Sequence, residues 1–251
     1  MTSAVVFDID GTVCFDGRTI PAETLDALRE LTTRERVVFA SARPIRDLLP
    51  VLPADLQHLD LIGGNGAFTR SDGRTTTVGI AANERGVVDA LIERHGLAAL
   101  IDGEWDYSFS GDPSHRIFRQ LDAGRLARNV PREELDTYSK VVLFTTAAEV
   151  VDALRASTLS IHVHPDEGLV DISGPNVTKH DALRRLGIAD GSYIAFGNDT
   201  NDERLLRHAA VSYRVGSHPV LAFADHHLAP EQITETIVGL ASPLAEFAPP
   251  A

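Results

Sequence analysis

A single isoleucine separates Asp8 from Asp10 in the stretch Val5-Val6-Phe7-Asp8-Ile9-Asp10-Gly11-Thr12. Apolar, β-favouring residues run straight into a turn signal at Gly11, so the stretch reads as a strand that ends at the two aspartates. Side chains at i and i+2 of an extended chain point the same way. The spacing therefore predicts that the two carboxylates share one small space. Two anions that close stay charged only beside a cation, or one of them must hold a proton. Beside a divalent ion, one carboxylate can attack a phosphorus atom while the other moves protons. The plain alternative is an exposed Asp-x-Asp-Gly turn without chemistry.

Three more groups stand where a strand ends or a helix begins: Ser41 with Arg43, Lys179, and Asn198 with Asp202. Alone, each is ordinary. Ser-x-Arg-Pro is a common turn, a lysine in the first turn of a helix is usually solvated, and Gly-Asn-Asp is a good turn sequence. Together they offer what phosphoryl transfer needs: a nucleophile, a hydroxyl and a cation for the phosphoryl oxygens, and oxygen ligands for Mg²⁺. Arg43 and Asn65 follow strands that end at the same edge and are candidates for substrate binding. The competing reading of Arg43 is a structural pair with an acidic neighbour.

The elements that must position these residues alternate. After the opening strand come a helix from Pro21 to about Arg34, a strand from Arg36 to Ala40, a short helix through Ile45 and Leu48, and a strand from Leu59 to Gly63. This β-α-β-α-β order is that of a doubly wound parallel sheet, whose ligands bind at the carboxyl ends of the strands. A hairpin is expected over Phe68–Val78, around Ser71-Asp72-Gly73. The middle third then reads differently: a helix capped by Asn83 and ended at Gly96, short strands at 98–102 and 105–109, no assigned element over 111–137, then strand, helix and two strands up to Ser173. From Thr178 the α/β pattern returns, and residues 243–251 read as a frayed tail. The expected fold is α/β, a Rossmann-like doubly wound core (1–80 and 175–251) with an inserted α+β cap (81–174).

Composition narrows the class. The chain has 251 residues and a formal net charge of −13, with 43% apolar and 24% charged residues. At roughly 150 residues per domain, this is one large unit or two modest ones. The acidic balance disfavours nucleic acid, which requires a basic footprint, but leaves room for a small anionic substrate beside a local cation. The single cysteine, Cys14, excludes an internal disulfide and suits a reducing cytoplasm. No stretch approaches the ~18 apolar residues of a membrane span, and the N-terminus lacks the basic-then-apolar pattern of a secretion signal. Other features have bland readings: His162 with His164, His226-His227 and His180-Asp181 lack a third ligand placed by sequence, and Trp105 reads as a buried cap residue before a substrate-stacking one.

The motifs taken in order resemble those of the haloacid dehalogenase-like phosphatases, in particular their Cof-type subfamily. Phe7-Asp8-Ile9-Asp10-Gly11-Thr12 is similar to the first motif, Ala40-Ser41-Ala42-Arg43-Pro44 to the second, Lys179 after Gly174-Pro175-Asn176-Val177-Thr178 to the third, and Phe196-Gly197-Asn198-Asp199-Thr200-Asn201-Asp202 to the fourth. The resemblance implies a Mg²⁺-dependent phosphatase of a small phosphorylated metabolite. In it Asp8 forms an aspartyl-phosphate and Asp10 protonates the leaving alcohol and then deprotonates water. Ser41 and Lys179 hold the phosphoryl group, and Thr12 is structural. It implies Mg²⁺ ligation by Asp8, the Asp10 backbone carbonyl and the fourth motif. There the family's usual aspartate is replaced by Asn198, with Asp199 the alternative ligand. Asp202 is expected to hold a metal-bound water or to orient Lys179. Two other outcomes stay open: a phosphomutase or phosphotransferase, in which an alcohol replaces water, and a non-catalytic regulatory protein on the same fold.

Overall fold

The computed structural model describes residues 4–242 other than 116, 119 and 120, so the expected tail at 243–251 lies outside the described residues. The opening stretch forms β1 (Ala4–Asp8), buried along its whole length. It lies between β2 (Val37–Ala40) and β11 (Tyr193–Gly197), parallel to both. Continuous apolar runs such as these are what a parallel strand covered on both faces requires. β3 (Asp60–Gly63) extends the sheet parallel on one side. The hairpin of β4 (Phe68–Ser71) and β5 (Arg74–Thr77) closes that side antiparallel. β12 (Val211–Val215) and β13 (His226–Leu228) complete the other side. β13 has no counterpart in the sequence reading: three residues, two of them exposed, carry no apolar run to reveal it.

Register fixes the edge at which Asp8 emerges. Phe7 pairs with Phe196, and Asp8 with Ala40. The rings of Phe7 and Phe196 stack at 4.7 Å, and Phe196 stacks on Tyr213 at 4.4 Å, so an aromatic ladder crosses three strands just beneath the edge. Such cross-strand pairs resist a slip of register that would turn Asp8 to the other face. Helix α1 (Ala22–Thr32) packs on one face of the sheet through Leu28 and Leu31, and the short helix α2 (Ile45–Leu48) follows β2.

Between β5 and β11 the chain leaves the parallel sheet and builds a second one. β6 (Ala99–Asp102), β7 (Tyr107–Phe109), β8 (Lys140–Leu143), β9 (Ser160–His164) and β10 (Leu169–Ser173) pair antiparallel in the order β7-β6-β8-β10-β9. This antiparallel sheet is the cap. Alternate residues (Ile101, Val141, Leu143, Val170, Ile172) meet two helices on one face, α3 (Ala82–His95) and α4 (Ala148–Arg155). Helix α3 starts at Ala82, so Asn83 lies inside it and not at its cap. A tertiary contact fixes the start instead: buried Glu84 accepts hydrogen bonds from the backbone N–H and hydroxyl of Thr158. Helices α5 (Lys179–Arg185), α6 (Glu203–Arg207) and α7 (Ile233–Ala241) return to the first sheet. Among the described residues no helix is long and apolar enough to cross a membrane.

Candidate active site

Asp8 is the last residue of β1 and is buried. Its Oδ2 accepts a 2.8 Å hydrogen bond from the Thr12 hydroxyl, and its Oδ1 meets the Lys179 ammonium at 2.5 Å. Thr12 therefore touches the carboxylate directly, beyond the purely structural role expected of it. Lys179 opens α5, where the Thr178 hydroxyl accepts the Asp181 N–H as an N-cap. Its ammonium is fully buried and is shared with Asp202 Oδ1 at 2.7 Å.

This places one buried cation between two buried carboxylates. Desolvation by burial, followed by the charge of Asp202, pushes the Asp8 carboxyl up to about 7, against the lowering effect of Lys179. The i, i+2 expectation needs correction here. The like-charge neighbour of Asp8 is Asp202, contributed by a distant loop, whereas the Asp10 side chain takes a different partner. The reason is local: regular strand stops at Asp8, and Gly11 turns the chain with φ +82°. Asp10 then receives two hydrogen bonds from Arg43, Nε to Oδ2 at 2.8 Å and Nη2 to Oδ1 at 2.6 Å. Arg43 also donates to the Gly17 carbonyl at 2.7 Å. Of its two readings, the acidic pair is the one the geometry displays.

Ser41 follows β2 and is fully buried. Its Oγ accepts the Arg43 N–H at 3.1 Å, which leaves the O–H proton to donate. Asn65 sits in a tight turn after β3 with φ 54°. Its N–H reaches the Ser41 carbonyl, and its Oδ1 accepts from Asn201 Nδ2 at 3.0 Å. Asn65 thus braces the loops after β2 and β11.

The turn after β11 sorts its three candidates. Asp202 Oδ2 accepts the backbone N–H groups of Asn198 (3.0 Å) and Asp199 (3.3 Å), so both Asp202 oxygens are engaged, one by the turn and one by Lys179. It anchors Lys179 through Oδ1 and the turn through Oδ2. A Cβ on Gly197 would lie 2.5 Å from Asp202 Cβ, so only glycine admits this fold-back. Asp199 caps the next turn by accepting the Thr200 N–H at 2.6 Å, and its side chain is 59% exposed. The Asn198 amide instead lies against Gly11: a Cβ there would come within 2.1 Å of Asn198 Nδ2.

The residues fit a divalent cation. With both carboxylates ionised, Asp8, Asp202 and the single cation Lys179 carry a net negative charge, and burial followed by the charge of Asp202 raises the Asp8 pKa to about 7. The Asp8 carboxylate, the Asp10 carbonyl and the Asn198 amide oxygen are hard donors of the kind Mg²⁺ takes, and it commonly keeps several waters besides.

Above this edge the cap sheet turns the face opposite α3 and α4 to the core. A cleft of about 290 Å³ is lined by Arg43, Arg46 and Asp47 from the core and by Lys140, His164 and Asp171 from the cap. Lys140 Nζ lies 3.1 Å from Asp171, and the charges of Asp171 and Asp102 outweigh burial to raise its pKa. Burial lowers that of His162. Arg46 and Asp102, both buried, form an ion pair across the core–cap junction. Sequence reasoning missed Arg46, Asp47, Lys140 and Asp171. The usable signal was period-two alternation: Lys140, His162, His164 and Asp171 all occupy the strand face opposite the helices. Trp105 is partly buried against the core, its indole N–H donating to the Leu126 carbonyl at 2.6 Å.

The profile of the haloacid dehalogenase-like hydrolases matches residues 5–232. The chain belongs to that family. It shares 23% identity over 231 residues with the 5-amino-6-(5-phospho-D-ribitylamino)uracil phosphatase YbjI of Escherichia coli (strain K12), covering 83% of each chain. Two solved structures share its fold. The sugar phosphatase BT4131 of HAD subclass IIB superposes with a TM-score of 0.76 at 24% identity, over 95% of this chain and 100% of that one. TM0651 from Thermotoga maritima gives 0.78 at 18% identity, over 96% and 97%. The haloacid dehalogenase-like assignment agrees with the motif order, and an inserted antiparallel cap accompanies it.

Proposed function

We propose that this protein is a Mg²⁺-dependent phosphatase that hydrolyses a small phosphorylated metabolite by way of an aspartyl-phosphate on Asp8. The observation that carries the reading is the Asp8 carboxylate itself: buried at the carboxyl end of the central strand, and held between the Thr12 hydroxyl and the Lys179 ammonium. Two contacts fix its orientation, which in-line attack requires.

In the first step an Asp8 oxygen bonds to phosphorus and the bond from phosphorus to the ester oxygen breaks; Asp10, released from the Arg43 fork and protonated on substrate entry, gives that oxygen its proton. In the second, Asp10 takes a proton from water, the water oxygen bonds to phosphorus, and the Asp8 carboxylate leaves. Lys179 spends two N–H groups on Asp8 and Asp202. The third is left for a phosphoryl oxygen, which the Ser41 hydroxyl also serves. Arg43 fixes the Asp10 carboxylate by two contacts. Asp8, the Asp10 carbonyl and Asn198 would hold Mg²⁺, which supplies charge neutralisation between carboxylate and phosphate.

The cap, taken as residues 81–174, selects the substrate through the polar face of its sheet. Lys140, His162, His164 and Asp171 offer donors and acceptors to a hydroxylated carbon chain. The relative's substrate carries a phosphorylated ribityl chain and BT4131 is a sugar phosphatase, which supports a sugar or sugar-alcohol phosphate as the class. The test is a phosphate-release screen over sugar phosphates, nucleotides and cofactor phosphates with added Mg²⁺. Preferential release from the first group is the expected result. Release from none of them in Mg²⁺ would contradict the reading.

A further inference from the structure

His180 was unpromising in the sequence because no third ligand accompanied it. The fold supplies two partners. Asp190 stands before β11 and His208 before β12, at the edge of the sheet opposite the one from which Asp8 and Asn198 emerge. One ligand atom from each of His180, Asp190 and His208 lies within 4.8 Å of the others. We propose that these three residues bind a borderline transition-metal ion, with Zn²⁺ as the fitting species, at a site separate from the catalytic cleft.

The placement of the ring nitrogens decides which lone pairs an ion could take. His180 is 2% exposed, and its Nε2 lies 2.8 Å from Asp190 Oδ1. If Nε2 carries the proton and donates to Asp190, Nδ1 is a buried lone pair, and it has no hydrogen-bond partner. Such an orphan is costly. In the other tautomer an ion takes the Nε2 lone pair, and Nδ1–H lies 4.0 Å from Asp181 Oδ1, a charge contact too long for a hydrogen bond. Ligating histidines commonly donate their second N–H to a carboxylate or a backbone carbonyl. His208 already does so. Its Nδ1 lies 2.8 Å from the Arg204 carbonyl, which can only accept, so Nδ1 is protonated and Nε2 offers its lone pair.

Two imidazoles and one carboxylate suit zinc, while Mg²⁺ and Ca²⁺ prefer oxygen alone. Tetrahedral zinc holds such donors about 3.3 Å apart, so the cluster must tighten. The mobile partners are available: Asp190 is 45% exposed at its side chain and His208 is half-buried, while His180 stays fixed. The His180 and His208 rings stack face to face at 4.1 Å, so the His208 ring must rotate to bring its in-plane lone pair onto the ion. Exposure on the Asp190 side leaves a fourth position open to water. The ion would tie α5, which carries Lys179, to the loops ahead of β11 and β12.

The test titrates the full-length protein, stripped with chelator, with Zn²⁺ in a large excess of Mg²⁺, by calorimetry and thermal unfolding. Wild type is compared with His208→Gln, Asp190→Asn and the double variant. Co²⁺ replaces Zn²⁺ in a parallel absorption measurement. The expected results are one Zn²⁺ per chain that Mg²⁺ does not displace, a raised Tm, and a visible Co²⁺ band. Each single variant should weaken binding by at least the roughly 10- to 100-fold that loss of an outer-shell partner costs, with Mg²⁺-dependent turnover unchanged. No Zn²⁺ binding in excess Mg²⁺, or the same affinity and stoichiometry in the double variant, would overturn the site.

Discussion

Asp10 and Arg43 meet as a two-point ion pair, with Nε to Oδ2 at 2.8 Å and Nη2 to Oδ1 at 2.6 Å. An arginine that follows the second strand thereby orients the second aspartate of the first motif. Arg43→Lys keeps the charge but loses the planar fork. We expect kcat to fall about 10- to 100-fold, the cost of a misplaced catalytic group, with KM nearly unchanged. A raised KM with kcat intact would make Arg43 a substrate ligand instead.

Lys179 neutralises two buried carboxylates at once. Lys179→Met keeps the volume and leaves both anions uncompensated. Removing one partner of a buried pair costs about 3–5 kcal/mol. Turnover should be abolished and the midpoint of urea unfolding should drop accordingly. A variant as stable as wild type at neutral pH would mean the carboxylates are solvated or protonated.

The raised pKa of Asp8 sets a pH signature. Burial and Asp202 lift its carboxyl from 3.8 to about 7. Between those values the native state binds more protons than the unfolded chain, so stability falls as pH rises. The contribution is fully present below pH 3.8 and is lost as pH passes about 7. Asp47, raised by burial to about 6, acts with the same sign. Comparison with Asp8→Asn therefore isolates Asp8. Mg²⁺ requires the ionised form, so its stabilising effect should grow from pH 5 to pH 8, as read by calorimetric Tm in Mg²⁺ against EDTA. A flat difference between wild type and Asp8→Asn across this range would contradict the assignment.

Asn198 lies against Gly11, whereas Asp199 caps Thr200 and is mostly exposed. Asn198→Asp should retain activity and lower the Mg²⁺ concentration for half-activation. Asn198→Ala should raise it strongly, and Asp199→Ala only mildly. The reverse order for the two alanine variants in a Mg²⁺ titration would shift the ligand by one residue.

Much of this was legible in the sequence because the parallel sheet writes itself as continuous apolar runs that end in turn residues. Asp8, Ser41, Lys179 and Asn198 could be placed at one edge from strand ends and a helix cap alone. The partnerships among them could not. That Asp202 rather than Asp10 is the anion facing Asp8 depends on Gly11 turning the chain and on the turn at Gly197 folding back. Both are tertiary events decided by close approach. The cap helices showed their periodicity, but Glu84 and not Asn83 fixed a helix start, because a contact with Thr158 outweighed a local cap. The cleft residues Lys140 and Asp171 sit in strands whose apolar half masked them.

The central claim is that Asp8 carries the phosphoryl group. The most direct measurement is a rapid-quench single turnover with a released substrate from the screen, followed by peptide mass spectrometry. The account predicts a transient phosphoryl increment on the peptide containing Asp8, formed before phosphate appears and absent in Asp8→Asn, which folds but does not turn over. Phosphate release at the wild-type rate by Asp8→Asn, or a phosphoryl group mapped to another residue, would contradict it.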